Sequence, residues 1–276
     1  MVTTLRPLTT AELFDTTFSL YRKHFLLFVG LVAIPYLFLL PFQILNALAP
    51  YGTQPAAVTL LLMLAIVVVT LAATAASQGA TLIAVSEVYL DRPASIAGAL
   101  SRIRGEIVGL AALMIVIGMF TAIGLILLIV PGILIALRFS LAIPVAVIEQ
   151  ETIRGAMSRS ADLTQGYRWR ILLIYLLFLI LTWVIAVVLG IPVGIASVLT
   201  AGGSGGLGTL GPPGWVLVLN VLASFAGSCL AGPFMTIGFA VLYYDIRVRK
   251  EAFDIKLLMD ARNGAATPTP DNPVQG

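Results

Sequence analysis

The stretch that decides the fold is IVGLAALMIVIGMFTAIGLILLIVPGILIALRFSLAIPVAVI, residues 107–148. It contains one charged side chain, that of Arg138. It is about twice as long as the ~20 apolar residues that cross a bilayer core of ~30 Å. Near its middle Val130 precedes Pro131, and Gly132 follows. Because a residue before proline avoids the helical region and glycine permits a reversal, the stretch predicts a tight turn between two membrane-spanning helices.

The positive charges of the chain are grouped around such apolar stretches. Fifteen of the sixteen Lys and Arg residues lie in the segments 1–23, 91–105, 154–170 and 247–262. The connections 49–57 and 199–214 carry no charge. Since Lys and Arg collect in the cytoplasmic loops of membrane proteins, the pattern predicts a multi-pass protein of the cytoplasmic membrane. Both termini are expected in the cytoplasm.

The same pattern predicts the organisation of the whole chain, as an all-α polytopic bundle in one membrane domain, residues 1–262. Six spans are expected, at about 25–48, 56–80, 107–129, 132–148, 169–189 and 215–244. Amphipathic interfacial helices are expected at 9–23, 93–105, 152–165 and 245–261. Residues 263–276 are polar and contain proline, a composition typical of a disordered tail.

Prolines and glycines mark expected irregularities in these spans. Pro35 and Pro41 interrupt the first span, and Gly232-Pro233 predicts a kink in the last. The second helix should be longer than the bilayer core requires, so we expect it to project from the membrane or to bend near Gly79.

The helix predicted at 9–23 is amphipathic. Thr9 and Glu12 have the spacing of a capping box, which favours a helix start. Apolar residues follow on one stripe at the helical period, between basic residues. Such a helix is expected to lie in the plane of the membrane interface.

An internal similarity predicts a repeat. Residues 95–102, SIAGALSR, match residues 152–159, TIRGAMSR, and each octet follows an even-numbered span. The helix at 9–23 has the same relation to the first span. We therefore interpret the chain as a threefold repeat of an interfacial helix and a two-span hairpin, followed by a closing helix.

Composition excludes several classes of function. The chain is 59% hydrophobic and 11% charged, whereas soluble proteins are about 45–50% apolar and about 25% charged. The sequence has no basic stripe interleaved with aromatic residues, which is the pattern that would indicate nucleic-acid binding. One cysteine, Cys229, and one histidine, His24, offer no pattern for a metal site, a cofactor or a catalytic set.

Arg138 is the basic residue expected inside a span. An arginine at that depth costs about 2.5–3.5 kcal/mol on insertion scales unless it pairs or reaches the interface. It is therefore a candidate intramembrane polar site, together with Gln78. The alternatives are an anion or headgroup contact within the bundle, and a structural arginine that bonds to carbonyl groups or to Gln78 or reaches the outer interface.

Three acidic residues end the even-numbered spans and could pair with arginines of the interfacial helices. The acids are Glu87, Glu149 and Asp245, and the arginines are Arg102, Arg159 and Arg247. We interpret these pairs as locks between the interfacial helices and the bundle.

Three runs carry a resemblance to a known family. They are PGILIALRF at 131–139, AMSRSADLTQG at 156–166 and YYDIRVRKEAFD at 243–254. Together they resemble the membrane domain of bacterial glycerophosphodiester phosphodiesterases, a module that also forms stand-alone bacterial membrane proteins. The resemblance covers most of residues 5–260. It implies a multi-span membrane domain; we expect no catalytic barrel after residue 262, and no catalytic residue can be carried over.

Three functional hypotheses remain open. The first is a non-catalytic module of the bacterial cytoplasmic membrane that organises anionic lipids, a partner protein or further copies of itself. It predicts a filled bundle with a flat basic collar. The second is a carrier or channel for a small or amphipathic solute, which predicts a polar cavity reaching Arg138. The third is a lipid-processing enzyme, which predicts acids converging at the level of the headgroups.

Overall fold

The computed structural model describes residues 7–48, 55–90, 92–203 and 213–251. All regular structure within these ranges is helical. The helices are α1 (Thr10–Lys23), α2 (Phe25–Leu37), α3 (Leu40–Leu48), α4 (Ala56–Tyr89), α5 (Ile96–Ile103), α6 (Ile107–Leu127), α7 (Ile129–Arg138), α8 (Ala142–Ile148), α9 (Ile153–Thr164), α10 (Arg168–Gly203) and α11 (Gly214–Glu251). The predicted tail at 263–276 lies outside the described residues.

Membrane-spanning length is reached by five helical segments of the described chain. They are Ala56–Tyr89, Ile107–Leu127, Ile129–Ile148, Arg168–Thr200 and Gly214–Lys250. A sixth is added if α1 and α2, which meet at 78°, count as one bent span. The all-α polytopic bundle predicted from the sequence is confirmed.

The predicted first span is not one straight helix. It consists of α2 and α3, which are separated at Phe38 and Leu39. Pro35 lies within α2, and Pro41 lies within α3. Each proline removes a backbone donor, which explains a break between them.

The hairpin of α6 and α7 turns earlier than predicted. Leu128 has extended backbone angles and separates the two helices, whereas Pro131 and Gly132 lie in α7. Proline fits the first turn of a helix because the amide hydrogens there have no partner within the helix. Gly132 and Gly124 instead permit α6 and α7 to pack closely, since a Cβ on Gly124 would lie 2.8 Å from the Gly132 Cα.

The predicted fourth span is also interrupted. α7 ends at Arg138, residues 139–141 form a turn, and α8 completes the segment. Ser160 and Thr164 of α9 donate hydrogen bonds to the Arg138 carbonyl, over 2.9 and 3.2 Å. These bonds satisfy a carbonyl that the end of α7 leaves without a helical partner.

The three longest helices continue beyond the predicted limits of their spans. α4 passes Gly79 as one helix, and α10 continues through Pro192 to Gly203. α11 extends to Glu251, so the closing helix predicted at 245–261 begins as a continuation of the last span. Its predicted remainder lies outside the described residues.

The start of α1, together with α5 and α9, lies at the end of the bundle that carries Glu87, Glu149 and Asp245, which we call the basic end. Thr9 caps α1 in a capping box with Glu12, as predicted. Ser95 and Thr152 accept hydrogen bonds from the backbone amides three residues ahead and cap α5 and α9. The two similar octets therefore begin in the same way, while the threefold repeat stays a prediction.

α1 follows α11 rather than crossing the basic end. The Leu8 amide binds Asp245 at one end of α1, and the Tyr21 hydroxyl donates to the Leu230 carbonyl at the other. Fifteen residues of α11 separate these contacts, a length of about 22 Å. The apolar stripe of α1 includes Phe14, whose ring lies 4.6 Å from that of Phe178. The helix predicted at the interface thus packs its stripe against protein.

Candidate functional site

A cleft of about 1090 Å³ lies within the bundle of the described structure. The α6–α7 hairpin forms one wall, and the α10–α11 pair forms the other. α2 and α4 also contribute residues, whereas contact between α7 and α10 is sparse. The filled bundle predicted by the hypothesis of a non-catalytic organising module is therefore not what the described chain forms.

The cleft is mainly apolar, with uncharged polar side chains distributed among the apolar ones. These polar residues are Tyr36, Thr74, Ser77, Gln78, Thr121, Ser140, Tyr175, Thr182, Asn220, Ser224, Ser228 and Thr236. Every described residue that lines the cleft is uncharged at neutral pH. Such a lining suits a mostly apolar molecule with a few hydrogen-bonding groups.

A polar stripe on α4 gives the cleft its most organised chemistry. Thr74 donates to the Thr70 carbonyl over 2.7 Å, and its oxygen lies 3.1 Å from the Tyr36 hydroxyl. Because the single hydroxyl hydrogen of Thr74 is used, Tyr36 must be the donor of the second bond. Ser77 donates to the Thr74 carbonyl, and the Gln78 side chain lines the cleft one turn beyond Thr74.

The structure does not bring the predicted pair of Arg138 and Gln78 together at this cleft. Gln78 lines it, but Arg138 does not, although both of its neighbours, Leu137 and Phe139, do. The Arg138 residue is exposed, and its guanidinium carbon lies 5.8 Å from the centre of the Phe139 ring. The carrier hypothesis predicted a polar cavity that reaches Arg138. The cleft reaches the two residues beside Arg138 but not Arg138 itself.

A charged clamp at the basic end is centred on Asp245. Its side chain is 0% exposed and lies 3.0 Å from Arg170 and 3.1 Å from Arg249. The carboxylate also accepts the Leu8 amide over 2.6 Å. Both arginines donate to the Leu8 carbonyl, at 2.6 and 2.5 Å. The clamp thus fixes the start of α1 to α10 and α11, and neither arginine was among the predicted partners of Asp245.

A second charged group is centred on Glu149. It lies 3.3 Å from Arg159 of α9 and 3.7 Å from Arg247 of α11. The Tyr243 hydroxyl donates to Glu149 over 2.6 Å and accepts from Arg247 over 2.8 Å. Four groups from three parts of the chain are joined in this way.

Glu87 and Arg102 form the third predicted acid–arginine combination, at 2.7 Å. The Glu87 side chain is 18% exposed, and that of Arg102 is 65% exposed. A pair with so exposed a partner is worth at most about 1 kcal/mol, so its main effect is on the position of α5.

A smaller cavity of about 570 Å³ opens between the connections at 104–106 and 149–152. Glu106, Glu151 and Arg154 line it, and all three are exposed. Among the described residues no group of three or more His, Cys, Asp or Glu side chains is placed to hold a metal ion.

Sequence reasoning recognised Gln78 but not the polar surface to which it belongs. Thr70, Thr74 and Gln78 are spaced four residues apart in an otherwise apolar helix, which is a signal for one polar helix face. Tyr36 could not be found in this way, because its contact with Thr74 depends on how α2 packs against α4.

Comparisons with known proteins agree with the architecture. Residues 107–256, more than half of the chain, match the family described as the membrane domain of glycerophosphoryl diester phosphodiesterase. No curated protein and no solved structure matches the chain. The match includes α6 to α11, and with them the two hairpins that form the walls of the cleft. The chain belongs to this membrane-domain family.

Proposed function

We propose that this membrane domain is a non-catalytic lipid-binding module, which holds one lipid or similar amphipathic molecule in the cleft between its two hairpins. The observation that carries the proposal is the size and lining of the cleft. Small-molecule pockets occupy about 300–1,000 Å³. A cavity of about 1090 Å³ with a mainly apolar wall suits a molecule with long hydrocarbon chains.

The position of the cleft supports access from the bilayer. α6 makes almost no contact with α10 or α11, so a seam between the two hairpins that form the walls runs along α6. Leu125 of α6 and Leu176 of α10 both line the cleft and are 45% exposed, so apolar side chains border the cleft at the protein surface. A lipid chain could pass such a seam without contact with water.

The basic end supports a second contact with lipid. Its arginines and lysines would lie at the cytoplasmic headgroups, where each basic residue near an anionic surface contributes about 1 kcal/mol. This orientation predicts that tags inserted at Gly52 and Gly205 are accessible from outside the cell. Labelling of both tags only after the cell is opened would reject it.

The proposal is tested with a matched pair of glycine substitutions on α10. Gly190 lines the cleft, Gly194 does not, and a Cβ at either position meets nothing within 4 Å. Gly190→Phe should place a ring in the cleft, whereas Gly194→Phe places the same ring outside it. Native mass spectrometry of the protein, purified in mild detergent and mixed with a total bacterial lipid extract, measures the bound lipid.

The expected result is a bound lipid on the unchanged protein and on Gly194→Phe, reduced at least about fivefold on Gly190→Phe. Equal retention by both variants would show that lipid binds elsewhere. Absence of retained lipid from the unchanged protein would reject the proposal itself. Thermal unfolding of both variants confirms that each remains folded.

A carrier is the second candidate, and the interrupted α7–α8 segment favours it. Phe139 and Ser140, in the turn between the two helices, both line the cleft. Discontinuous spans form the binding sites of many transporters. Movement of a fluorescent lipid between the leaflets of reconstituted vesicles, faster with the unchanged protein than with Gly190→Phe, would support transport. Binding without such movement would favour the module.

A further inference from the structure

We infer that the cleft selects a lipid with an uncharged, hydroxyl-bearing head, such as a diacylglycerol, over the same lipid carrying a phosphate. This inference rests on the proposed lipid-binding function and names the class of lipid. Its basis is the hydrogen-bonding state of the polar side chains in the cleft.

Of the ten hydroxyl groups that line the cleft in the described structure, six donate their hydrogen within the protein. The other four belong to Thr121, Tyr175, Thr182 and Ser224. Ser140 donates to the Leu137 carbonyl over 2.9 Å, and Thr236 donates to the Gly232 carbonyl over 3.2 Å. Ser228 donates to its own helix in the same way. A serine or threonine hydroxyl has one hydrogen and two acceptor lone pairs. Once that hydrogen is bound, the oxygen can offer a ligand only an acceptor.

The α4 stripe has the same property. Tyr36 donates to Thr74, and Thr74 donates to the Thr70 carbonyl, so the chain of bonds ends within the helix. Ser77 also donates to a carbonyl of α4. A surface of acceptors attracts the O–H group of a lipid alcohol. The oxygens of an ionised phosphate are acceptors as well, so these hydroxyl groups, whose hydrogens are already bound, give them no partner.

The absence of charge in the described lining acts in the same direction. A phosphate moved from water into an apolar cleft loses hydration, and only a paired cation or several donors can replace it. The basic residue nearest in sequence to the lining is Arg138, whose exposed guanidinium lies over the Phe139 ring. Arg138 is therefore the residue on which a competing phosphate contact would depend.

Gln78 completes the site for an uncharged head. Its amide carries both donors and an acceptor, and it lies one helical turn from Thr74. A glycerol ester offers a carbonyl acceptor and a hydroxyl donor within a few bonds of each other. Gln78 can bind the carbonyl with its amide hydrogens while neighbouring hydroxyl oxygens accept the alcohol.

The test uses two lipids that differ only in the phosphate, dioleoylglycerol and dioleoylphosphatidic acid, which compete for the protein in native mass spectrometry. We expect dioleoylglycerol to bind about tenfold more tightly, a difference of about 1.4 kcal/mol. Gln78→Leu removes a donor to the ester carbonyl that both lipids carry, so it should weaken both at least about threefold and leave their ratio unchanged. Gln43→Leu makes the same chemical change on α3, outside the cleft lining, and should leave both affinities unchanged.

Each other outcome has a separate meaning. If neither lipid binds, the proposed function fails, and the selectivity fails with it. If phosphatidic acid binds as tightly as dioleoylglycerol, the cleft remains a lipid site but the inference is overturned. If that binding is then lost in Arg138→Gln, the phosphate contact belongs to Arg138, which also overturns the inference. If Gln43→Leu weakens dioleoylglycerol binding as much as Gln78→Leu does, α4 does not bind the head of the lipid, and the assignment of the site to Gln78 is overturned.

Discussion

Replacing Asp245 by asparagine should destabilise the protein more than any other change of a single charge among the described ion pairs. The carboxylate is fully buried and receives hydrogen bonds from the Leu8 amide and from Arg249, with Arg170 at 3.0 Å. The asparagine would keep the shape of the side chain. It would remove the negative charge that compensates two guanidinium groups.

The magnitude follows from the burial of these partners. Breaking a buried ion pair by removing one member costs about 3–5 kcal/mol. The side chains of Arg170 and Arg249 are 18% and 26% exposed, and both retain bonds to the Leu8 carbonyl. Because this partial exposure and these bonds lessen the loss, we expect the lower end, about 3 kcal/mol. A protein of this length loses about 2–4 °C in Tm per kcal/mol, so the decrease should be about 6–12 °C.

The chain contains a suitable reporter for the assay. Cys229 is its one cysteine and is 5% exposed in the folded bundle. A maleimide dye that fluoresces on reaction with a thiol therefore reports unfolding as detergent-solubilised protein is heated. Asp15→Asn makes the same chemical change at an exposed position of α1 and should change the free energy of unfolding by less than about 0.5 kcal/mol.

Two results would refute this reasoning. A midpoint for Asp245→Asn within about 2 °C of the unchanged protein would show that the arginines do not depend on the carboxylate. Strict additivity of Asp245→Asn with Arg249→Gln would show that the two groups do not interact. Coupling predicts that the double variant loses less stability than the sum of the two single ones.

Two further predictions concern glycines at which helices approach closely. Gly124→Ala should lower the unfolding midpoint strongly, because its Cβ would meet the Gly132 backbone; Gly118→Ala, on the same helix but with open space around it, is the control and should change it little. Gly238→Ala should also lower the midpoint, since its Cβ would overlap the Phe178 ring, and adding Phe178→Leu should recover part of the loss. Equal midpoints for the two alanine variants of α6, or no recovery with Phe178→Leu, would contradict the respective prediction.

The bundle was predictable because the bilayer limits what an apolar chain can do. A run as long as 107–148 has to cross the hydrocarbon core and return, and helices satisfy the backbone without water. Helix starts were also readable, since Thr9 and Glu12 specify the cap of α1 through local hydrogen bonds.

Boundaries were harder to predict where one residue fits two local structures. Pro131 is as compatible with the first turn of a helix as with the turn before it, so the reversal could not be assigned to Leu128. Likewise, the last span was predicted to end at Tyr244 because the charge of Asp245 suggested the start of a new helix. No proline or glycine lies beside that boundary to end the helix there. The arginines that pair with Asp245 make its burial within α11 possible.

The cleft itself could not be predicted from the sequence. Its volume depends on the distance between the α6–α7 and α10–α11 pairs, which no local pattern records. Side chains such as Asn220 and Thr182 are isolated polar residues in apolar helices. Their convergence on one space appears only when the helices are packed.

The clamp on Leu8 has a consequence for the order in which the protein is made. The ribosome completes α1 first, but Leu8 binds residues 162, 237 and 241 positions later in the chain. The apolar stripe of α1 therefore meets its first partner, Phe178, only when α10 is made, and its remaining partners on α11 are made last. During synthesis that stripe must contact lipid or a translocation factor instead. The packing of α1, the first helix made, against α11, the last, then completes the bundle.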